Sequence, residues 1–372
     1  MESLRVIVEP WYEALRDPGR AQSRVFEELL SGYRKTAYGK ARGADEVTDI
    51  SEFRDRFPTV SYTGLIPYLD EVKAGSYAIL LPEPPLCWVM TRGSTGRRKV
   101  IPATRTHLGQ VLSCGARAIV NYALRTKDMD VLRGGVLNLN FPSVVDSFGE
   151  GPQRTVYGYS SGTYARLNPA LNEAQLVPRQ EEIDALGPGA TRPDWERRFE
   201  LVYQRALERE ITAAMGVTPV ILSFARYVKR HHAKKPLELW KLHGLFCTSV
   251  RKIQARYAPR LRDYYGPVPV VEIYSATEGV YAQQLDELPY VVPNYDKYLF
   301  EVETRRGTRM LHELQRGEWG KLIVSSCLFP RYDIGDMVEA AGKNYFRIFG
   351  RATKRLHILE HRLYRLFFGW LL

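Results

Sequence analysis

The chain of 372 residues contains few cysteines and no pattern that would pair them. Each cysteine lies within a largely apolar run, and they are far apart in the sequence. The four are Cys87, Cys114, Cys247 and Cys327. This distribution predicts buried thiols in a reducing cytoplasm and argues against disulfides or a zinc site.

Long apolar segments are also missing. No run approaches the roughly twenty residues that a membrane-spanning helix needs. Residues 1–5 also do not form a charged start that leads into a continuous apolar run, as a signal peptide would. We therefore expect a cytoplasmic protein that does not use a membrane. His231, His232 and His243 lack the spacing of metal ligands, and the chain has no internal repeat. With 45% hydrophobic residues it can bury a substantial core, and its length favours two lobes.

What the sequence does contain is a loop suited to phosphate groups, directly after the strand-like run 86–90. The loop consists of Thr91, Arg92, Gly93, Ser94, Thr95, Gly96, Arg97, Arg98 and Lys99. Its glycines allow a sharp turn that exposes backbone N–H groups, its hydroxyls add donors, and its lysine adds a mobile positive charge. A Walker A loop is excluded, because only two residues separate the glycines and the lysine comes too late.

Two other interpretations of this loop remain open at this point. It can be an ordinary turn between two elements. The net charge of +11 also suggests an RNA-binding protein of the KH type, whose Gly-x-x-Gly loop clamps a nucleic-acid backbone. A KH loop joins two helices, however, and this one follows a strand. The dense basic residues 229–235 are interpreted as a solvated helix end or loop, with contact to an acidic partner such as CoA or a carrier as the alternative.

Three clusters of polar residues follow the loop in order. Residues 274–279, Tyr-Ser-Ala-Thr-Glu-Gly, come directly after the predicted strand 270–273. Residues 330–336, which end in Tyr-Asp-Ile-Gly-Asp, come after the predicted strand 322–324, and Phe-Gly-Arg occupies 349–351. With the loop, these clusters resemble the adenylate-forming superfamily of acyl- and aryl-CoA ligases, luciferases and peptide-synthetase adenylation domains.

Residues upstream of the loop narrow the resemblance. The block 52–107 contains Phe53-Arg54, Phe57-Pro58 and Ile66-Pro67-Tyr68-Leu69, and it closes with Ile101-Pro102-Ala103-Thr104. This block is similar to the branch of auxin-type acyl acid amido synthetases, with phenylacetate-CoA ligase as a more distant relative. The resemblance covers roughly residues 10–363 in scattered blocks.

The resemblance implies ATP and Mg²⁺ as ligands and gives each motif a role. Adenylation joins a carboxylate to the α-phosphorus of ATP, so two anions must meet and cations are required. At the β- and γ-phosphates the resemblance implies Thr91, Gly93, Ser94, Thr95, Gly96 and Lys99. It implies Thr277 at the α-phosphate, Glu278 on Mg²⁺ and Tyr274 stacked on adenine. It also implies Asp336 on the ribose hydroxyls and Arg351 near the ribose or α-phosphate.

Several positions depart from the family pattern. Arg98 replaces the usual proline before the lysine, and Arg92 replaces a small hydroxyl residue. Thr353 stands where relatives carry an acidic hinge residue, and Arg362, which we predict as a catalytic residue, occupies the position of a lysine. The Arg362 guanidinium is wider than an ammonium group and binds oxyanions differently, so we do not assume that it acts as that lysine would.

The resemblance also divides the chain. Residues 1–350 would form the adenylate-forming N-terminal region, with a lobe boundary or an acyl-pocket wall within 146–195, and residues 351–372 would form a hinge-like segment and a truncated tail. Relatives continue for roughly a hundred residues, about one small domain. We therefore expect the small C-terminal domain to be absent or truncated, either in a damaged gene product or in a natural short form.

Apolar periodicity places helices between the predicted strands. Residues 21–37, 105–123 and 250–264 each put their apolar side chains on one helical face. Helices that alternate with apolar strands predict an α/β protein whose large sheets are flanked by helices.

The predicted function is ATP-dependent activation of a carboxylic acid as its acyl adenylate, with transfer to an amine such as an amino acid. Transfer to CoA, as in an aryl-CoA ligase, is the alternative, and a basic nucleic-acid-binding protein is the alternative from another class. The sequence identifies neither the acid nor the oligomeric state.

Overall fold

The computed structural model describes residues 2–91, 98–151 and 154–368, with side chains as far as residue 363. The chain divides into two compact units. Unit 1 comprises Met1–Val8, Leu86–Ala103 and Leu108–Pro289, and unit 2 comprises Glu9–Pro85, Thr104–His107 and Tyr290–Leu372. Residues 146–195, where the sequence suggests a lobe boundary, all belong to unit 1.

The described chain begins with five helices, alternates between helices and strands in its middle part, and ends with a series of strands and one helix. The helices are α1 (Glu2–Arg16), α2 (Pro18–Tyr33), α3 (Ala37–Lys40), α4 (Ile50–Arg56), α5 (Tyr62–Lys73), α6 (Arg105–Thr126), α7 (Ser160–Arg166), α8 (Pro169–Asn172), α9 (Gln180–Asp184), α10 (Arg192–Leu207), α11 (Thr218–His232), α12 (Ala258–Tyr265) and α13 (Arg355–Phe368). The strands are β1 (Pro85–Met90), β2 (Val100–Thr104), β3 (Gly135–Leu137), β4 (Asp146–Phe148), β5 (Thr155–Tyr159), β6 (Leu176–Val177), β7 (Ile211–Val217), β8 (Gly244–Thr248), β9 (Val270–Ala276), β10 (Gly279–Gln283), β11 (Val292–Pro293), β12 (Leu299–Thr304), β13 (Gly307–Met310), β14 (Trp319–Ser325), β15 (Tyr332–Gly342) and β16 (Tyr345–Arg351).

Unit 1 contains two sheets. In the larger one, neighbouring strands follow the order β10-β9-β8-β7-β3-β6, and the strands from β9 to β6 are parallel. Strand β10 runs antiparallel to β9, because a tight turn joins them. The smaller sheet has the order β2-β1-β5-β4, in which β1 and β5 are parallel.

The crossover helices of the larger sheet carry the main core of unit 1. Helices α10, α11 and α12 contribute apolar side chains to one core cluster, which also contains residues of β7 and β8. Residues at the centre of this core include Phe199, Ile221, Phe224, Leu245 and Leu261, all almost fully buried. Parallel strands covered in this way need no polar face, which explains the continuous apolar runs at 211–217 and 244–248.

Unit 2 is built around an antiparallel sheet with the order β13-β12-β14-β15-β16. Helix α2 belongs to the same unit, and the side chain of its Gln22 donates to the backbone carbonyls of Tyr295 and Tyr298 at 2.8 and 2.7 Å. Buried Glu301 of β12 accepts from Arg54 at 2.7 Å and from Arg331 at 3.0 Å. These bonds satisfy polar groups that would otherwise be costly to bury.

The predicted helices are confirmed, with different ends. Helix α2 ends at Tyr33 because Thr36 caps a new helix, its Oγ1 accepting from the backbone N–H of Gly39 at 2.9 Å. Helix α6 runs three residues beyond the predicted end, to Thr126. The region 250–264 is split into a π-helical turn, Ile253–Tyr257, and α12, whose early Pro259 has no backbone donor to extend the turn before it.

The predicted α/β class is confirmed. All four cysteines are free thiols, and burial raises the pKa of Cys87 to about 11 and that of Cys247 to about 12. Within the ranges that the structure describes, no helix is both long and apolar enough to cross a membrane.

Candidate active site

The edge at which β1 and β5 end brings two segments of unit 1 together. The strands are parallel, and Met90 pairs with Tyr159 in register. The carboxyl ends of parallel strands meet at one edge of a sheet, so Thr91 and Ser160 leave the sheet side by side. Ligands of open α/β sheets generally bind outside such an edge.

Thr91 and Lys99 close the base of the predicted phosphate loop. The backbone N–H of Thr91 donates to the carbonyl of Lys99 at 2.9 Å, and the backbone N–H of Lys99 donates to Oγ1 of Thr91 at 3.0 Å. The loop therefore joins β1 to β2, which are neighbouring strands, so it does not match the helix-joining loop of a KH protein. Four predicted ligands, Gly93, Ser94, Thr95 and Gly96, lie outside the described residues.

Thr277 and Glu278 form the two-residue turn between β9 and β10. Ala276 and Gly279 pair in register on either side of it. The Glu278 side chain is only 6% exposed, and its Oε1 lies 3.1 Å from Nζ of Lys99, which is 24% exposed. A carboxylate this deeply buried needs a charged partner or several donors. The structure thus brings together the predicted metal ligand and the predicted phosphate-binding lysine.

Helix α7 supports the same turn, which the sequence interpretation missed. The hydroxyl of buried Tyr164 donates to the backbone carbonyl of Thr277 at 3.2 Å. The hydroxyl oxygens of Ser160 and Thr277 are 3.4 Å apart. Because β1 and β5 pair in parallel, the start of α7 lies beside Thr91. Knowledge of this pairing would have indicated Ser160 as a site residue. The segment 146–195 therefore contributes two hydroxyl groups to the candidate site.

Tyr274, the predicted adenine-stacking residue, and Arg98, which departs from the family pattern, each contact a tyrosine ring in unit 1. The ring of Tyr274 is buried in β9, with its centroid 5.8 Å from that of Tyr281. Its predicted stacking on adenine stays a prediction. Arg98, which stands in place of the family proline, is exposed and lies over the ring of Tyr159 with its guanidinium carbon 5.9 Å from the centroid.

Unit 2 contains the other predicted nucleotide ligands. Asp336 of β15 and Arg351 of β16 are directly paired in register, and Nη1 of Arg351 donates to Oδ1 of Asp336 at 2.7 Å. The Gly-Asp pair lies within a strand and does not form the turn that this dipeptide usually indicates. Gly335 has a φ of +83°, a conformation that favours glycine, and its carbonyl accepts from the N–H of Ala352 at 2.9 Å.

The segment after Arg351 is helical from Arg355 onward. Nδ1 of His357 accepts from the backbone N–H of Arg351 at 3.1 Å, and the ring of His361 stacks on Phe349 at 3.8 Å. Next to His361, Arg362 is exposed. Its catalytic role stays a prediction.

Burial raises the pKa of Glu272, a carboxyl group in unit 1. Glu272 lies two residues before Tyr274 on β9, and burial raises its pKa to about 7. Its backbone N–H donates to Oε1 of Gln284 at 3.0 Å, and the Gln254 amide donates to the same oxygen at 3.0 Å. A perturbed carboxyl near a candidate site indicates function in some proteins and core packing in others.

Within the basic segment 229–235, residues 229–232 are confirmed as a helix end, and Lys234 and Lys235 follow the helix. Lys229, Arg230, His231 and His232 form the last turn of α11. Arg230 pairs with Glu196 at 3.0 Å, and His232 bonds to Glu200 at 2.9 Å. Cations at a helix C-terminus interact favourably with the helix dipole. This location therefore accounts for the basic residues at the end of α11 without an acidic binding partner.

Comparisons with known proteins identify a family model and several similar sequences. The model described as the GH3 family N-terminal domain matches residues 9–181. Indole-3-acetic acid-amido synthetase GH3.8 of Oryza sativa subsp. indica is 24% identical over 86% of this chain and 64% of its own length. Indole-3-acetic acid-amido synthetase GH3.3 of Arabidopsis thaliana is 30% identical over 89% of this chain and 66% of its own length. The chain thus spans just under two thirds of the length of these two relatives.

Solved structures show the same fold. The AtGH3.15 acyl acid amido synthetase in complex with 2,4-DB matches with a TM-score of 0.75 at 16% identity, over 94% of this chain and 70% of that one. A 2-hydroxyisobutyryl-CoA ligase in complex with 2-HIB-AMP and CoA matches with a TM-score of 0.62 at 17% identity, over 91% and 68%. The chain therefore matches the GH3 family N-terminal domain over residues 9–181, is similar to GH3 acid-amido synthetases, and shares its fold with an acyl acid amido synthetase and a CoA ligase.

Proposed function

We propose that this chain activates a carboxylic acid with ATP as its acyl adenylate, and that the acyl group then passes to the amino group of an amino acid. The observation that carries the proposal is the pair formed by Lys99 and Glu278 beside the hydroxyl of Thr277. Its cation, carboxylate and hydroxyl are the groups that adenylation needs, and the relatives named as amido synthetases support the amine as acceptor.

The first step can be written from these groups. A carboxylate oxygen of the acid bonds to the α-phosphorus of ATP, while the bond from that phosphorus to the bridging oxygen breaks and pyrophosphate leaves. Lys99, Thr91 and the loop 92–97 would hold the β- and γ-phosphates, and Thr277 would donate to the α-phosphate. Positive charge and fixed donors at the transferring phosphoryl group stabilise the charge that builds there.

Glu278 fits the requirements of a Mg²⁺ ligand. Its carboxylate is almost fully buried at a strand end, and Mg²⁺ prefers carboxylate and phosphate oxygens. When bound, the metal would add positive charge at the phosphate oxygens. In unit 2, the carboxylate of Asp336 would accept from the ribose hydroxyls. Nη1 of Arg351 donates to Oδ1 of Asp336 at 2.7 Å and so orients that carboxylate. Arg351 would approach the ribose or the α-phosphate.

Acyl transfer to CoA is the second candidate. It is supported by the fold shared with the 2-hydroxyisobutyryl-CoA ligase, although the TM-score is higher for the amido synthetase. We also propose a cytoplasmic location, because four free thiols are typical of reducing compartments.

Pyrophosphate exchange into ATP tests the proposal. The purified chain is given MgATP, labelled pyrophosphate and one acid at a time from indole-3-acetate, phenylacetate, benzoate and 2-hydroxyisobutyrate. We expect exchange with at least one acid, no exchange without acid, and loss of exchange in Glu278→Gln. The active acid is then tested with an amino acid mixture and with CoA. No exchange with any acid, together with no MgATP binding in calorimetry, overturns the proposal.

A further inference from the structure

A second cluster of ligand side chains lies in unit 1, at the other edge of the parallel sheet from Glu278. His243 directly precedes β8, whereas Glu278 follows β9, and the two strands are parallel with Leu245 opposite Val270. Around His243 lie Asp128 and Asp130, and one ligand atom from each of the three residues falls within 4.8 Å of the others. The cluster is therefore separate from the proposed nucleotide site.

The geometry of His243 and Asp128 matches the edge of a metal coordination sphere. Nδ1 of His243 lies 2.9 Å from Oδ1 and 2.8 Å from Oδ2 of Asp128. The two carboxylate oxygens share this one ring nitrogen. Two ligand atoms that are each about 2.1 Å from one cation are about 3 Å apart at the right angles of an octahedral site and about 3.4 Å apart at the tetrahedral angles that Zn²⁺ prefers. A cation between the imidazole and the carboxylate therefore fits once these two groups move apart by up to roughly half an ångström.

A cavity next to the pair has room for the remaining ligands. It has a volume of about 600 Å³, and both Asp128 and His243 line it. Trp240, Tyr265 and Val268 provide apolar parts of its wall. An apolar surround strengthens the attraction between a cation and carboxylates, and the space can hold water molecules that complete the coordination.

The backbone holds two of the three ligands in place. His243 donates its N–H to the carbonyl of Thr212 at 2.7 Å, and its carbonyl accepts from the hydroxyl of Tyr122 at 2.9 Å. Asp128 precedes the 3₁₀ turn Met129–Leu132 but does not cap it with its side chain, although aspartate is a favoured cap. Its carboxylate is directed to the imidazole instead.

Asp130 is the movable ligand. It bonds to Arg133 at 2.8 Å, and both side chains are more than half exposed, so this pair contributes little and is easily exchanged for another partner. We propose that Asp128, Asp130 and His243 bind a divalent transition-metal cation such as Zn²⁺ or Mn²⁺. An imidazole ligand favours these metals over Mg²⁺, which prefers oxygen ligands alone. The cation would tie the turn at 128–132 to the start of β8.

Titration of the metal-free, nucleotide-free chain with Zn²⁺ in calorimetry tests this site, with Mn²⁺ and Mg²⁺ as comparison metals. We expect one Zn²⁺ site per chain, a rise in Tm on binding, and weaker binding of Mg²⁺. Asp128→Asn and His243→Gln should each lower Zn²⁺ affinity at least tenfold. If His243→Gln does not fold, Asp130→Asn decides, because its side chain is exposed and its loss leaves the core intact.

Three control variants test whether Zn²⁺ binds at this cluster and not at other side chains. Glu238→Gln changes a carboxylate of the cavity wall outside the cluster, and His231→Gln removes a histidine at the end of α11. Glu278→Gln changes the proposed nucleotide site. All three should keep the Zn²⁺ affinity of the unmodified chain. Equal affinity in the cluster variants would mean adventitious binding only, and the Asp128–His243 contact would then be a structural hydrogen bond.

Discussion

Nζ of Lys99 lies 3.1 Å from Oε1 of Glu278, although the two residues are 179 positions apart in the chain. Lys99 ends the loop that follows β1, and Glu278 ends the turn that follows β9. The pair therefore links the smaller and the larger sheet of unit 1. Because the carboxylate is almost fully buried, changes at either residue should affect both ligand binding and stability.

Glu278→Gln should remove most of the contribution of Mg²⁺ to ATP binding. The substitution keeps the size of the side chain but deletes the charge of the proposed metal ligand, so MgATP affinity should fall at least about tenfold. Calorimetry with and without Mg²⁺ measures the effect. Glu287→Gln, at an exposed position paired with Arg125, is the matched control and should bind normally. An unchanged difference between ATP and MgATP in Glu278→Gln would contradict the assignment.

Lys99→Met should cost more stability than the double variant Lys99→Met/Glu278→Gln. The single change leaves a buried carboxylate without its lysine, at an expected cost of about 1–3 kcal/mol in the free energy of unfolding. The double change removes the charge as well and should recover part of that loss. Urea unfolding of all four proteins gives the coupling free energy. Additive effects would show that the pair contributes nothing to stability.

Much of this arrangement was predictable from local sequence patterns. The apolar runs at 86–90, 270–273 and 322–324 are confirmed as β1, β9 and β14, because buried strands need a continuous apolar sequence. The pairing of Asp336 with Arg351 was not predictable, because it depends on the register of two strands. The ladder of β15 and β16 has two register shifts between this pair and the connecting turn, and local periodicity does not predict such irregularities.

The role of α7 shows the same limit. Tyr164 and Ser160 lie in a segment whose glycine and polar content indicates a loop or boundary, and nothing in their own neighbourhood points to residue 277. Their contact with Thr277 follows from the parallel pairing of β1 with β5, a long-range feature. Long-range pairing is decided by the packing of the whole unit, so a single sequence seldom reveals it.

Tyr164→Phe should slow adenylation without weakening substrate binding to the same extent. The variant loses the hydrogen bond that holds the carbonyl of Thr277, a contact that contributes about 1 kcal/mol. A less well-positioned Thr277 should lower kcat of pyrophosphate exchange about three- to tenfold, with a smaller change in KM for the acid. Tyr157→Phe is the control, since its hydroxyl bonds to exposed Asp146. Equal rates in the two variants would mean that Tyr164 has no positioning role.

Glu272→Gln should change the pH dependence of stability in a defined window. The pKa of Glu272 is about 7 in the folded chain and about 4.5 when unfolded, so both states are protonated below pH 4.5 and burial of the side chain then costs no charge. As pH rises from 4.5 to 7, the unfolded state ionises first and stability is lost, by on the order of 2–3 kcal/mol in total. Glutamine stays neutral, so the variant should gain stability relative to the unmodified chain between pH 5 and pH 8. Urea unfolding at both values measures this difference, with Glu287→Gln as the exposed control. A difference independent of pH would mean that Glu272 titrates normally in the folded state.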